Sequence, residues 1–168
     1  MRWNKYWVLG LLVFTANSFA APMPARYDAT TKKAGRYIDS GFFAGGSKLV
    51  TSTVLKDVRR GPQEKGERIV FDFEGMGSKS NEVPYFQVHV NPESGRVVVS
   101  VWSDVSYDYD NSRIQSAFRK SGWFKGVNFM PRVEDGLATI ELELKTNKKP
   151  RIEAFYLSHP ARIILDIL

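Results

Sequence analysis

No cysteine occurs among the 168 residues of this chain. Disulfides, thiolate nucleophiles and thiolate metal ligands are therefore excluded, and so is the lipid-accepting Cys of the common lipoprotein route. Stability has to come from packing alone. Histidine is almost as scarce, with only His89 and His159. A zinc hydrolase needs several nitrogen or carboxylate ligands around one ion, and a catalytic carboxylate besides. His89 is expected on the outward face of a strand, in register with Tyr85 and Gln87, and His159 in the turn Ser158-His159-Pro160. Neither shows ligand spacing, so no metal and no cofactor is expected. No Ser lies in a strand-to-helix elbow. Gly75-Met76-Gly77 lacks the Lys and the helix that a phosphate loop requires. Glu141 and Glu143 stand two apart on one strand face, close enough to suggest a glycosidase pair, but alternating charge on a solvated face is their ordinary origin. The expectation is a protein that is not an enzyme; a hydrolase with an unrecognised site is the remote alternative.

Long apolar runs are missing too. The stretch Tyr6 to Phe14, interrupted by Gly10, is too short to cross a bilayer. It follows Arg2 and Lys5 and precedes Ser18-Phe19-Ala20, a small-x-small cleavage site. Residues 1–20 thus read as a secretory signal peptide cut after Ala20, with an uncleaved anchor as the rival. The expected destination is the periplasm, or full secretion, with no stable membrane span once the signal is removed. Charge is mildly basic: 24 Lys+Arg against 18 Asp+Glu, or 22 against 18 without Arg2 and Lys5. That favours anionic polymers weakly, and solubility explains it as well. The basic residues are scattered and the chain is exported, so nucleic acid is not an expected partner.

What remains is a globular composition, 43% apolar, enough for one domain. Residues 21–47 show no sustained periodicity. Ala21-Pro22-Met23-Pro24 and Gly45-Gly46-Ser47 bracket what reads as a flexible or loosely docked N-terminal arm, pinned at most by Tyr37, Phe42 and Phe43. The domain is expected over 48–168. Leu49 to Val58 reads as a strand, with a turn marked by Gly61-Pro62 and Lys65-Gly66. Arg68 to Glu74, Tyr85 to Val90 and Arg96 to Trp102 alternate, and Asn91 to Gly95 makes a Pro-containing connection. One short helix is expected around Ile114, Ala117 and Phe118, capped by Asp110 or Asn111 and stopped by Gly122. Strands follow near Val127 to Val133, at Leu137 to Lys145, Arg151 to Leu157 and Ala161 to Leu168, with a turn at Glu134-Asp135-Gly136. The pattern suits a mainly β fold, an antiparallel sandwich or a partly open barrel. Two sheets packed on one another bury it best.

Two segments share a signature. Arg162 and Asp166 flank Ile163 to Leu165, and Arg68 and Asp72 flank Ile69 to Phe71 with the same separation. The chain therefore reads as two related β halves. The stretch from Leu137 through Pro150 to Ile167, with Phe155, Leu157, Pro160, Arg162 and Asp166 in place, resembles the AMIN domain. The first half, Val54 to Val58 and then Arg68 to Val101, is similar more loosely and lacks the Leu-x-x-Pro-x-Arg segment. The resemblance implies a periplasmic β-sandwich that places cell-wall amidases and secretins by binding peptidoglycan. With neither enzyme nor secretin domain attached here, the expectation is a non-catalytic peptidoglycan-binding or envelope-localisation module. The alternative is a protein–protein adaptor of an envelope complex, working through an exposed strand edge such as Ala161 to Leu168. The candidate binding residues are Arg68, Arg151 and Arg162 for peptide carboxylates, and Tyr107, Tyr109 and Trp123 for sugar rings. Their ordinary roles would be register-fixing ion pairs and core packing.

Overall fold

The computed structural model of the protein describes residues 23–75, 81–130 and 136–168. The signal segment 1–20, Met76 and Gly77, and the Val133 and Glu134-Asp135 positions lie outside the described residues. Two sheets pack face to face with a helix along one side, so the mainly β sandwich is the observed architecture.

The large sheet joins, in spatial order, β1 (Arg26–Asp28), β2 (Gly41–Gly45), β5 (Tyr85–Asn91), β6 (Arg96–Trp102), β9 (Leu137–Leu144) and β8 (Phe124–Phe129). The small sheet runs β10 (Ile152–Ser158), β11 (Ala161–Ile167), β4 (Gly66–Gly75), β3 (Ser52–Gln63) and β7 (Asp104–Tyr107). Each half of the sequence thus gives one hairpin to each sheet: β3–β4 and β5–β6 from the first, β8–β9 and β10–β11 from the second. The halves meet at β6–β9 and at β4–β11. Strand alternation puts Ile69, Phe71, Phe86, Val88, Val97, Val99, Ile140, Leu142, Ile163 and Leu165 into one shared core. Helix α1 (Asn111–Arg119) is capped by Asp110, whose carboxylate accepts from the Arg113 N–H at 3.1 Å. It buries Ile114 and Phe118, one turn apart, against β8 and β3. Its C-terminal cap is Lys120, two residues before the expected Gly122.

Four expectations need correction. Of segment 21–47, the described residues 23–47 do not form a flexible or loosely docked arm. β2 lies between β1 and β5, with Phe43 and Ala44 buried. Between β1 and β2 the chain crosses to the other sheet and lines the outer edge of β10. The Tyr156 N–H donates to Thr30 O at 3.0 Å, and Ile38 and Ile152 exchange backbone bonds at 2.9 and 2.8 Å. The domain therefore begins by Arg26, not at 48. Second, β11 lies between β10 and β4, so Ala161 to Leu168 is no exposed margin. Third, Gly61-Pro62 is not a turn; β3 continues to Gln63. Strand β7 pairs only with Ser52 to Leu55, so β3 is an edge at Pro62, where a missing N–H breaks no ladder. Fourth, β7 itself was not foreseen, being four residues long and parallel to β3. No described helix is long and apolar enough to cross a membrane.

Candidate functional site

The six candidate residues do not come together. Strands β4 and β11 run antiparallel with Arg162 opposite Asp72 and Asp166 opposite Arg68. The shared signature of the two halves is thereby explained: each arginine pairs with the other half's aspartate. Arg68 binds both oxygens of Asp166, at 2.6 and 2.8 Å, and the Arg162 Nε donates to Asp72 at 2.7 Å. Asp72 also takes both donors of Arg59, at 2.6 and 3.0 Å, and Asp166 takes the Lys33 ammonium at 2.6 Å. Asp166 is only 3% exposed. Burial would push its carboxyl up, but the hydrogen bonds from Arg68 and Lys33 outweigh that and hold it below its ordinary range. A guanidinium already forked onto a buried carboxylate has lost the geometry it would offer a ligand. Arg68 is spent in this way; Arg162 holds the part-buried Asp72 through its Nε alone, and both pairs fix register on the small sheet's outer face.

Tyr107 and Tyr109 pack edge-on to each other, with ring centroids 5.7 Å apart, and Tyr109 lies 4.5 Å from Phe129. Burial raises the Tyr109 hydroxyl to about 12. This cluster closes the side of the sandwich at the end of β8. Trp123 precedes the start of β8, about 17 Å away at strand rise, so the three rings cannot share one sugar.

Trp123 and Arg151 do belong to one end of the molecule. Its foundation is Glu67, on the inward face at the start of β4 and 5% exposed. The Glu67 carboxylate takes Arg60 at 2.6 and 3.0 Å, the Ser121 hydroxyl at 2.6 Å and the Gly122 N–H. Burial would raise its pKa, and these donors bring it below the ordinary range instead. They also fix the turn that leads from α1 into Trp123. From there the Lys145 N–H donates to Trp123 O at 2.9 Å, the Lys145 ammonium to Ser121 O, and the Lys148 ammonium lies 4.8 Å from the Trp123 ring centroid.

The connection from Lys145 to Arg151 is thus held against the Ser121–Trp123 turn, and two adjoining clefts are lined by it and by the 3-10 turn Pro92–Ser94. One, of about 700 Å³, is lined by Arg96, Lys125, Glu141, Glu143, Lys145, Lys148 and Lys149. The other, of about 890 Å³, is lined by Asp39, His89, Asn91, Glu93, Lys149 and Arg151. Glu141 accepts from Arg96 at 3.1 and 3.2 Å, and Glu143 from Lys125 at 2.9 Å. Lys145, Lys148, Lys149 and Arg151 make no carboxylate pair among the described residues. Of the three candidate arginines only Arg151 has no carboxylate partner among the described residues. The lysines were passed over in the sequence because they fall at the join between the strands expected at Leu137 to Lys145 and Arg151 to Leu157. Three lysines within five positions around that join were the available signal.

A second feature lies on the outer face of the large sheet and reaches the larger cleft. Tyr85, Gln87 and His89 project along β5, as their spacing requires, over about 14 Å. Tyr85 meets Trp102 of β6 with ring centroids 5.3 Å apart. The Gln87 amide donates to the Tyr85 hydroxyl at 3.0 Å, and its carbonyl lies 3.2 Å from His89 Nε2. His89 stacks on Phe42 of β2, at 5.0 Å and 14°. Burial lowers the His89 pKa, which leaves the ring neutral near pH 7. Ser100 and Thr139 stand beside Gln87 in the same cross-strand row. Among the described residues no three His, Asp or Glu side chains gather as they would around a metal ion.

No protein-family model matches the chain, and none of the curated proteins searched matches it significantly.

Proposed function

We propose that the protein is an exported, non-catalytic module that holds peptidoglycan at the cell envelope. The reading rests on one observation: Lys145, Lys148, Lys149 and Arg151 line two adjoining clefts and none of them is paired with a carboxylate among the described residues, Asp39 and Glu93 standing in the larger cleft beside Lys149 and Arg151. Peptide stems of the wall carry free carboxylates, and a forked guanidinium among ammonium groups is suited to them. The resemblance of Leu137 to Ile167 to AMIN domains supports the same reading. So does the state of Glu141 and Glu143. Each accepts from a cation, whereas a general acid needs apolar surroundings that keep it protonated.

Retention on purified sacculi tests it. The wild-type protein should sediment with sacculi at low salt and be released as ionic strength rises. The double variant Lys149→Glu, Arg151→Glu should stay in the supernatant while melting like the wild type. Wild-type protein that fails to sediment at low salt would end the proposal. The adaptor alternative has lost its best edge, since β11 is interior and β10 is lined by segment 29–38. It would have to use the short edge strands β1, β7 or β8, or the stretch of β3 that β7 does not cover.

A further inference from the structure

We propose that the stripe Trp102–Tyr85–Gln87–His89 on the large sheet binds the glycan strand of a carboxylated polysaccharide, with the strand's acid groups in the cleft of Lys149 and Arg151. The inference rests on the wall-binding reading for the identity of the polymer, but its geometry is separate. Aromatic rings offer an apolar face with a polar edge, which is what the two sides of a sugar ring require. Trp102 is 38% exposed and Tyr85 braces it, so the indole is held in place rather than free to rotate. Next along the strand, Gln87 spends one N–H on Tyr85 and one lone pair on His89, which leaves one of each for hydroxyls. Ser100 and Thr139 add hydroxyls in the same row. His89 then lines the cleft into which Lys149 and Arg151 project. The order along β5 is therefore ring-stacking, hydroxyl-bonding, then cationic, all on one flat face. A protein partner would call for an apolar centre inside a polar rim. This face carries polar groups through its centre, with Lys149 and Arg151 at the His89 end and Lys48, 5.2 Å from the Tyr85 ring centroid, at the other.

The test uses the full chain and two probes: intact sacculi, and soluble wall glycan stripped of its peptides. The wild-type protein should bind the stripped glycan, and the indole N–H resonance assigned through Trp102→Phe should move as glycan is added. Trp102→Ala and Gln87→Ala should each weaken binding of both probes at least tenfold, with melting temperatures near that of the wild type. A stationary Trp102 resonance, or full-strength glycan binding by both variants, overturns the proposal whether or not any variant folds. Sacculi retained while stripped glycan is ignored would sink the stripe and leave the cationic cleft as a peptide site. Stripped glycan bound on the stripe with no retention on sacculi would uphold the stripe and sink the wall-binding reading.

Discussion

The small sheet turns Arg68, Asp72, Arg162 and Asp166 outward; the large sheet turns Tyr85, Gln87, His89 and Trp102 outward. On the first face Asp166 holds Arg68 and Lys33 and Asp72 holds Arg162 and Arg59, and the central Phe155 and Ile164 are buried beneath them. Segment 29–38 lines its β10 edge: Lys33 reaches Asp166, and the Ala34 and Arg36 N–H groups donate to Glu153 at 2.7 and 3.2 Å. On the second face the aromatic and amide groups contact one another but retain unused hydrogen-bonding capacity, and Lys149 and Arg151 line the cleft at its end. An alternating strand produces an outer row in either case. Whether that row becomes a sealed wall or a surface for a ligand depends on whether it contains its own counter-charges.

That contrast predicts which substitutions disturb folding and which disturb binding. The largest loss is expected from Glu67→Ala, at the foundation of the cationic end. It leaves Arg60 nearly buried without a partner and frees the Ser121–Trp123 turn. Urea unfolding should show a loss of about 3–5 kcal/mol, and sacculus retention should fall with it. A nearly unchanged midpoint would mean that Glu67 does not anchor the turn. Next comes Asp166→Ala on the sealed face, expected to cost about 3 kcal/mol because Lys33 and Arg68 are part-exposed and recover some hydration. Binding measured below its unfolding midpoint should not change, and weaker binding there would show that the small sheet contributes to the site.

The pH dependence is smaller and has a fixed sign. Glu67 and Asp166 are both held below their ordinary range in the fold, so the unfolded chain takes up more protons in acid. Their contribution is complete only above about pH 5, where unfolded carboxyls are largely ionised. It is lost as the pH falls through their lowered folded values. Denaturation at a series of pH values should show this decline, and Asp166→Asn should flatten it. Smallest of all for stability is Trp102→Ala, expected to cost about 1 kcal/mol through the lost ring contact with Tyr85. A loss near that from Asp166→Ala would make Trp102 a structural residue instead.

The paired strands β4–β6 and β9–β11 were legible because period-two alternation over seven or more residues is a strong signal, as in Ile140, Leu142 and Leu144. The helix was legible from Asp110 and the one-turn spacing of Ile114 and Phe118. Strands β1, β2 and β7 were not. They have three to five residues each, too few to show a period, and β1 and β2 pair with partners distant in sequence or across a long crossing. Gly41 illustrates the difficulty. It lies in a stretch without periodicity, yet its φ is +116° and an added Cβ would stand 2.6 Å from Ala25 O. It is glycine because another strand passes against it. Of the candidate site, Arg151 and Trp123 were found at one end of the molecule, whereas Arg68 and Arg162 looked equally suited until their partners were known.

Local pattern in the sequence determined which residues face inward, where most hairpins turn, and that the two halves carry the same Arg and Asp separation. Each of these depends on neighbours a few residues apart, and strand geometry makes such neighbours predictable. Only the tertiary structure decided which charges are spent. Arg68 meets Asp166 across 98 positions and Glu67 meets Ser121 across 54, while Arg151 meets no carboxylate among the described residues. Coulombic pairing acts through space, so the same residue type becomes a brace in one place and an open donor in another.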